Sequence, residues 1–102
     1  MKKRLMKKME RARRRDIHRL LDLALDITGT GARVRSITGD RPTAFFEYLG
    51  HVAKVSVEVY GYGWEPGCGS DLCASGYTDR PGGMRGAIRD LEGYVREEGG
   101  VA

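Results

Sequence analysis

The segment Lys54-Val-Ser-Val-Glu-Val-Tyr60 constrains what this chain can fold into more than any other stretch. Ala53, Val55, Val57 and Val59 fall on one face of an extended backbone, and Lys54, Ser56, Glu58 and Tyr60 fall on the other. Successive side chains of a strand point to opposite faces, so the alternation specifies a strand with one buried and one wet face. Thr43 to Leu49 reads as its antiparallel partner. Gly50 is expected to supply the turn between them, because a residue without Cβ takes the positive φ of a tight hairpin at no steric cost.

Two helical patterns flank the hairpin. Ile17, Leu20, Leu21, Ala24 and Ile27 repeat at helical spacing, Leu23 and Leu25 widen the stripe, and Gly29 and Gly31 end it. Near the other terminus, Met84, Ile88, Leu91 and Val95, with Ala87 and Tyr94, form a second stripe. Asp79 is expected to cap that helix, with Pro81 in its first turn. Glu97, Glu98 and the Gly pair after them end it. Gly86 and Gly93 weaken such a helix by about 1 kcal/mol each relative to Ala, which points to close backbone approach at those positions.

Arg33 to Thr38 reads as a short edge strand, and Thr-Gly-Asp-Arg-Pro (38–42) is turn chemistry. The Gly-rich stretch 61–71 reads as a loop, and Leu72 to Thr78 as the last strand. The order is helix, three or four antiparallel strands, helix. The economical arrangement is an α+β fold with both helices packed on one face of the sheet, which buries both stripes and the valine face together.

A chain of 102 residues makes one domain with a single core. Residues 1–15 read as a basic arm or helix extension, and 16–102 as the α+β domain. No apolar run approaches the roughly 20 residues of a membrane span, and no apolar segment follows the basic N-terminus as in a secretory signal. Two cysteines do not make a disulfide framework. The cytoplasm is the expected compartment, with no membrane association.

Charge is distributed unevenly. Lys2, Lys3, Arg4, Lys7, Lys8, Arg11, Arg13, Arg14, Arg15 and Arg19 face only Glu10 and Asp16 within residues 1–19, a balance of +8. Residues 20–102 hold eight basic and twelve acidic side chains, a balance of −4. An acidic body with a basic arm points to an anionic partner for the arm, and the ten cations are the candidate nucleic-acid contacts. Either one helix runs from about Lys3 to Thr28, or a shorter one begins at Asp16 as N-cap and the arm is disordered. Like charges at i, i+4 (Arg4 and Lys8, Arg11 and Arg15, Arg15 and Arg19) weaken an unaided helix. An anionic partner would remove that penalty. The bland rival is a solvated helix extension, or an upstream start, since Met6 and Met9 are alternative initiators.

Other constellations are less specific. Cys68 and Cys73 are spaced C-x4-C, with His51 and His18 the only histidines. Structural zinc needs four ligands, usually in two close pairs, and only one pair is present. Two free thiols is the simpler reading, and no metal or cofactor is expected. A Cys–His nucleophile lacks a third, orienting residue. Residues 80–86, Arg-Pro-Gly-Gly-Met-Arg-Gly, could present backbone N–H groups to an anion, but they lack the Gly-Lys-Ser/Thr ending of a P-loop. A plain loop-to-helix joint explains them without a ligand. Tyr60, Tyr62 and Trp64 cluster where the strand leaves the sheet. Exposed, they are protein-binding or base-stacking types; buried, they complete the core.

The helix–three strands–helix order resembles a double-stranded-RNA-binding domain, whose first hairpin loop and second-helix N-terminus touch the duplex. Gly50-His51 falls in such a loop. The family's Lys-Lys-x-Ala-Lys motif is missing, with Gly83-Met84-Arg85-Gly86-Ala87 in its place. A second resemblance covers most of residues 20–100. Leu-Leu-Asp-Leu-Ala-Leu-Asp-Ile-Thr-Gly (20–29), Ile-Thr-Gly-Asp-Arg-Pro-Thr-Ala-Phe-Phe-Glu-Tyr-Leu-Gly-His-Val (37–52) and Gly-Trp-Glu (63–65) are similar to small proteins of Firmicutes phages and mobile elements. This resemblance implies a small protein that binds and modulates larger machinery, and it brings no active-site motif. A non-enzymatic binder of nucleic acid or a nucleoprotein is therefore expected, acting through the arm. The alternative is a protein-binding inhibitor or adaptor, anti-CRISPR-like, acting through the acidic body and the Tyr60–Trp64 loop. An exposed strand edge would also allow two copies to pair as a homodimer.

Overall fold

A computed structural model describes residues 2–31 and 41–98. The elements are α1 (Lys2–Thr28), β1 (Thr43–Leu49), a 3-10 turn (Gly50–Val52), β2 (Lys54–Tyr60), β3 (Leu72–Tyr77) and α2 (Arg85–Glu98). The strands form one antiparallel sheet in the order β1-β2-β3, giving an α+β fold of order α-β-β-β-α. The expected edge strand at Arg33–Thr38 lies outside the described residues.

Alternation sets the two faces of the sheet. Val55, Val57 and Val59 are fully buried beneath the helices, joined by Ala74 from β3 and by the half-buried Ala44, Phe46 and Leu72. Leu20, Leu23, Ala24 and Ile27 of α1 and Ala87 and Leu91 of α2, with Met84 just before α2, complete the core. α1 packs on β1, β2 and α2, while α2 packs on β3 and α1, so both helices lie on the valine face. Where they meet, Arg19 Nη2 donates to Glu92 Oε2 at 2.8 Å. The opposite face of the sheet has no covering layer among the described residues.

The hairpin turn departs from expectation. Gly50 sits in the 3-10 turn, and the left-handed residue is Ala53, with φ 52° and ψ 43°. Ala53 thereby leaves the strand, and its N–H donates to the Gly50 carbonyl at 3.4 Å. At the end of α1, Gly29 does take positive φ (73°) and donates to the Leu25 carbonyl at 2.7 Å, as a helix-ending glycine does.

The start of the second helix also differs. Asp79 and Pro81 belong to turns ahead of α2, which begins at Arg85 with the Ile88 N–H donating to the Met84 carbonyl at 3.0 Å. Gly86 and Gly93 are not sites of close approach: an added Cβ would meet only arginine side-chain ends, at 4.0 and 3.8 Å. Close approach occurs instead at Gly76, Gly83 and Gly61.

Candidate functional site

The arm is helical throughout. α1 runs unbroken from Lys2, and 27 residues at 1.5 Å each make a rod of about 40 Å. Only its second half has a body to rest on. Of residues 2–15, all but Ala12 are exposed, whereas the buried positions begin at Leu20. Met9, Ala12, Arg13 and Asp16 face the 78–85 loop across a cleft of about 300 Å3. Residues before Met9 extend past that end of the sheet.

At 3.6 residues per turn, Arg4, Lys8, Arg11 and Arg15 fall in one line along the rod, with Lys7 and Arg14 flanking it. Met6 and Met9 fall on the opposite side, continuing the line that Leu20, Ala24 and Ile27 bury further along, and Leu5 lies between the two sides, beside Arg4 and Lys8. All three are exposed large apolar residues. Of the ten candidate cations, Arg14 pairs with Glu10 at 3.5 Å within the helix, and Arg19 is engaged by Glu92. Among the described residues, the other eight make no ion pair. Arg13 stands apart from the line, at the cleft, and Lys2 lies on the apolar side.

Further positive charge gathers at the same end of the molecule. Lys54 begins β2 opposite Tyr77, and the chain passes from Tyr77 into the loop that carries Arg80 and Arg85. The Arg80 guanidinium lies over the Tyr77 ring at 4.5 Å, and Lys54 Nζ approaches the same ring at 6.0 Å. The Thr78 N–H donates to the Ala53 carbonyl at 2.7 Å, which ties this loop to the hairpin turn carrying His51. Inside the loop, the N–H groups of Gly83 and Arg85 donate to the carbonyls of Arg80 and Gly82. The 80–86 segment thus satisfies part of its own backbone as a joint does.

The aromatic cluster lies at the other end of β2, and it divides. Tyr60 is buried, Trp64 is half-buried and Tyr62 is 84% exposed. Phe45, unremarked in the sequence, joins them: its ring centroid is 5.3 Å from Tyr60 and 5.8 Å from Trp64. Period-2 counting along β1 puts Phe45 on the open face across from Glu58, which is the signal that would have found it. The Tyr60 hydroxyl donates to Glu58 Oε2 at 2.8 Å. That bond, then burial, then the negative charge of Glu58, push the Tyr60 phenol up to about 12.

Cys68 and Cys73 are free thiols, half-buried and exposed respectively. Cys68 Sγ accepts the Glu65 N–H at 3.4 Å, and Cys73 Sγ lies 3.9 Å from Ser56 Oγ. His51 is in the hairpin turn and His18 is exposed on α1. Among the described residues, no three metal-ligating side chains come together, and no helix is long and apolar enough to cross a membrane.

No family model, curated protein or solved structure matches the chain.

Proposed function

We propose that this chain is a non-enzymatic binding protein that grips a nucleic acid, bare or within a nucleoprotein, with the projecting half of α1. The observation that carries this reading is the line Arg4, Lys8, Arg11 and Arg15 along the exposed side of a helix half that buries no side chain. Neutralising phosphates requires several cations within reach of one backbone and releases condensed counterions, which supplies most sequence-independent affinity. A helix of about 10–12 Å diameter also enters a major groove of about 12 Å. Arg80, Arg85 and Lys54, at the same end of the body, extend the positive surface.

The same contact resolves an energetic conflict in the arm. Arg4 and Lys8, and Arg11 and Arg15, repel at i, i+4, which destabilises a helix by a few tenths of a kcal/mol per pair, on the order of 0.2–0.5. Phosphates between them convert repulsion into shared attraction. The resemblance of the quoted segments to phage and mobile-element proteins, if it reflects descent, fits such a partner.

The test compares the full chain with a chain starting at Asp16, each titrated against labelled single- and double-stranded DNA and RNA. Residues 2–15 contribute no buried side chain, so the shorter chain keeps its core. Binding by the full chain alone is the expected result. If neither binds at low salt, the nucleic-acid reading fails and the partner is to be sought among proteins that contact the body.

A further inference from the structure

Opposite the basic end, the loop between β2 and β3 encloses a second recess, of about 390 Å3, on the aromatic end of the sheet. Its walls include Tyr60, Tyr62 and Trp64, and its acidic groups are Glu65 and Asp71; among the described residues no Lys, Arg or His lines it. We propose that this recess is a binding site for a guanidinium group, with Trp64 and Tyr62 as stacking faces and Glu65 and Asp71 as carboxylate acceptors.

The recess is built to hold its shape. Phe45 backs both Tyr60 and Trp64 at tilted ring contacts of 53° and 47°. Asp71 closes the loop: its N–H donates to the Val59 carbonyl at 2.8 Å, and its Oδ2 accepts the Gly61 N–H at 2.6 Å. Its other carboxylate oxygen has no protein partner among the described residues. The Glu65 carboxylate makes no ion pair among them either, although its backbone is fixed by a 3.1 Å bond from the Cys68 N–H to the Glu65 carbonyl. Gly61 must lack a side chain here, because a Cβ would lie 2.6 Å from the Tyr94 hydroxyl and 3.1 Å from Asp71 Oδ2.

Two features select the ligand. An aromatic face carries negative potential at its centre, so a cation over Trp or Tyr is attracted, and Trp is the strongest of the three rings. Carboxylates without a basic partner prefer a ligand that donates charged N–H groups. Guanidinium meets both demands at once: it is planar, so it stacks, and its fork of N–H donors matches a carboxylate. An ammonium meets both only as a point charge, with neither a plane to stack nor a fork of donors. The volume, near the lower end of the range for small-molecule sites, suits one side-chain-sized group.

Trp64 is the only tryptophan in the chain, so its emission reports occupancy directly. The full-length protein is titrated with acetyl-Gly-Arg-Gly-amide, with the citrulline peptide (the same shape without the charge), and with L-argininamide. Heat of mixing is recorded in parallel. A saturable response to the arginine peptide is expected, with the citrulline peptide at least about tenfold weaker. Glu65→Gln, at an exposed residue, weakens the arginine peptide by roughly tenfold, and Tyr62→Ala weakens it by several-fold. Equal binding of argininamide means that the group alone is read; binding of the peptide only means that it is read within a chain. Both outcomes support the site. Equal titration by arginine and citrulline peptides, a Glu65→Gln protein that binds like wild type, or neither emission change nor heat would overturn it.

Discussion

Gly76 of β3 lies directly against Gly83, so that a Cβ on Gly76 would collide with the Gly83 carbonyl oxygen. The contact is reciprocal in kind, because a Cβ on Gly83 would collide with the Tyr77 carbonyl oxygen. The loop ahead of α2 therefore crosses the sheet backbone-to-backbone, and this sets where Met84 enters the core. Gly76→Ala is expected to destabilise the protein by about 1–3 kcal/mol, the usual range for overpacking. Gly86→Ala, with open space around it, is expected to stabilise α2 by up to about 1 kcal/mol. Urea unfolding of both variants checks the pair.

The hairpin turn offers a cleaner exchange. Ala53 holds a left-handed backbone that a residue with Cβ adopts at a cost of about 1–2 kcal/mol, while Gly50 sits in a 3-10 turn that needs no glycine. Swapping the two (Gly50→Ala with Ala53→Gly) leaves the glycine content of the unfolded chain unchanged. The double variant is expected to be more stable by about 1 kcal/mol, read from its thermal midpoint. A less stable double variant would mean that the turn is fixed by something other than φ.

These two sites mark the boundary of what could be read from residues alone. Strand alternation at Val55, Val57 and Val59 and the stripes through Leu20 and Leu91 are local periodicities, and they specified the α-β-β-β-α order and the shared helix face. Which residue of 50–53 turns left-handed is decided by hairpin length and register, which a single glycine does not encode. The start of α2 at Arg85 rather than near Asp79 follows from the Gly76–Gly83 crossing, a contact between residues far apart in pattern. In the candidate sites, the cationic residues were visible as composition, but their alignment on one side of a continuous helix needed the helix to be established. Tyr60, Tyr62 and Trp64 were legible as a cluster, whereas their support by Phe45 and the closing role of Asp71 arise from cross-strand and loop geometry.

The two halves of α1 are expected to respond differently to the same truncation. Leu20 is fully buried, and Leu20→Ala is expected to cost about 2–5 kcal/mol. Leu5 is 59% exposed on the projecting half, and Leu5→Ala is expected to change stability by less than about 0.5 kcal/mol. Equilibrium denaturation measures both. A large effect at Leu5 would show that the arm packs on the body or on another copy.

Tyr60 sets an alkaline limit. Its phenol moves from an ordinary 10.0 to about 12 through the bond to Glu58, so the folded state holds this proton more tightly than the unfolded chain. The stabilising contribution is fully present below about pH 10 and is lost as pH rises toward about 12. Wild-type stability should fall between about pH 10 and pH 12 more steeply than that of Tyr60→Phe, which has no such proton to lose. Titration of the phenolate absorbance should also lose its last step in the Phe variant.

The interface itself is tested most directly by the salt dependence of binding when charge is removed from one place or another. One variant neutralises Arg4, Lys8 and Arg11 to Gln, and a charge-matched variant neutralises the exposed α2 residues Arg85, Arg89 and Arg96. The slope of log affinity against log salt on a DNA duplex should become shallower by roughly two to three units in the α1 variant. In the α2 variant it should change by no more than about one, reflecting Arg85 at the same end as the arm. Equal loss of slope in the two variants would show that net charge alone draws the protein to nucleic acid, and would contradict a dedicated cationic face on α1.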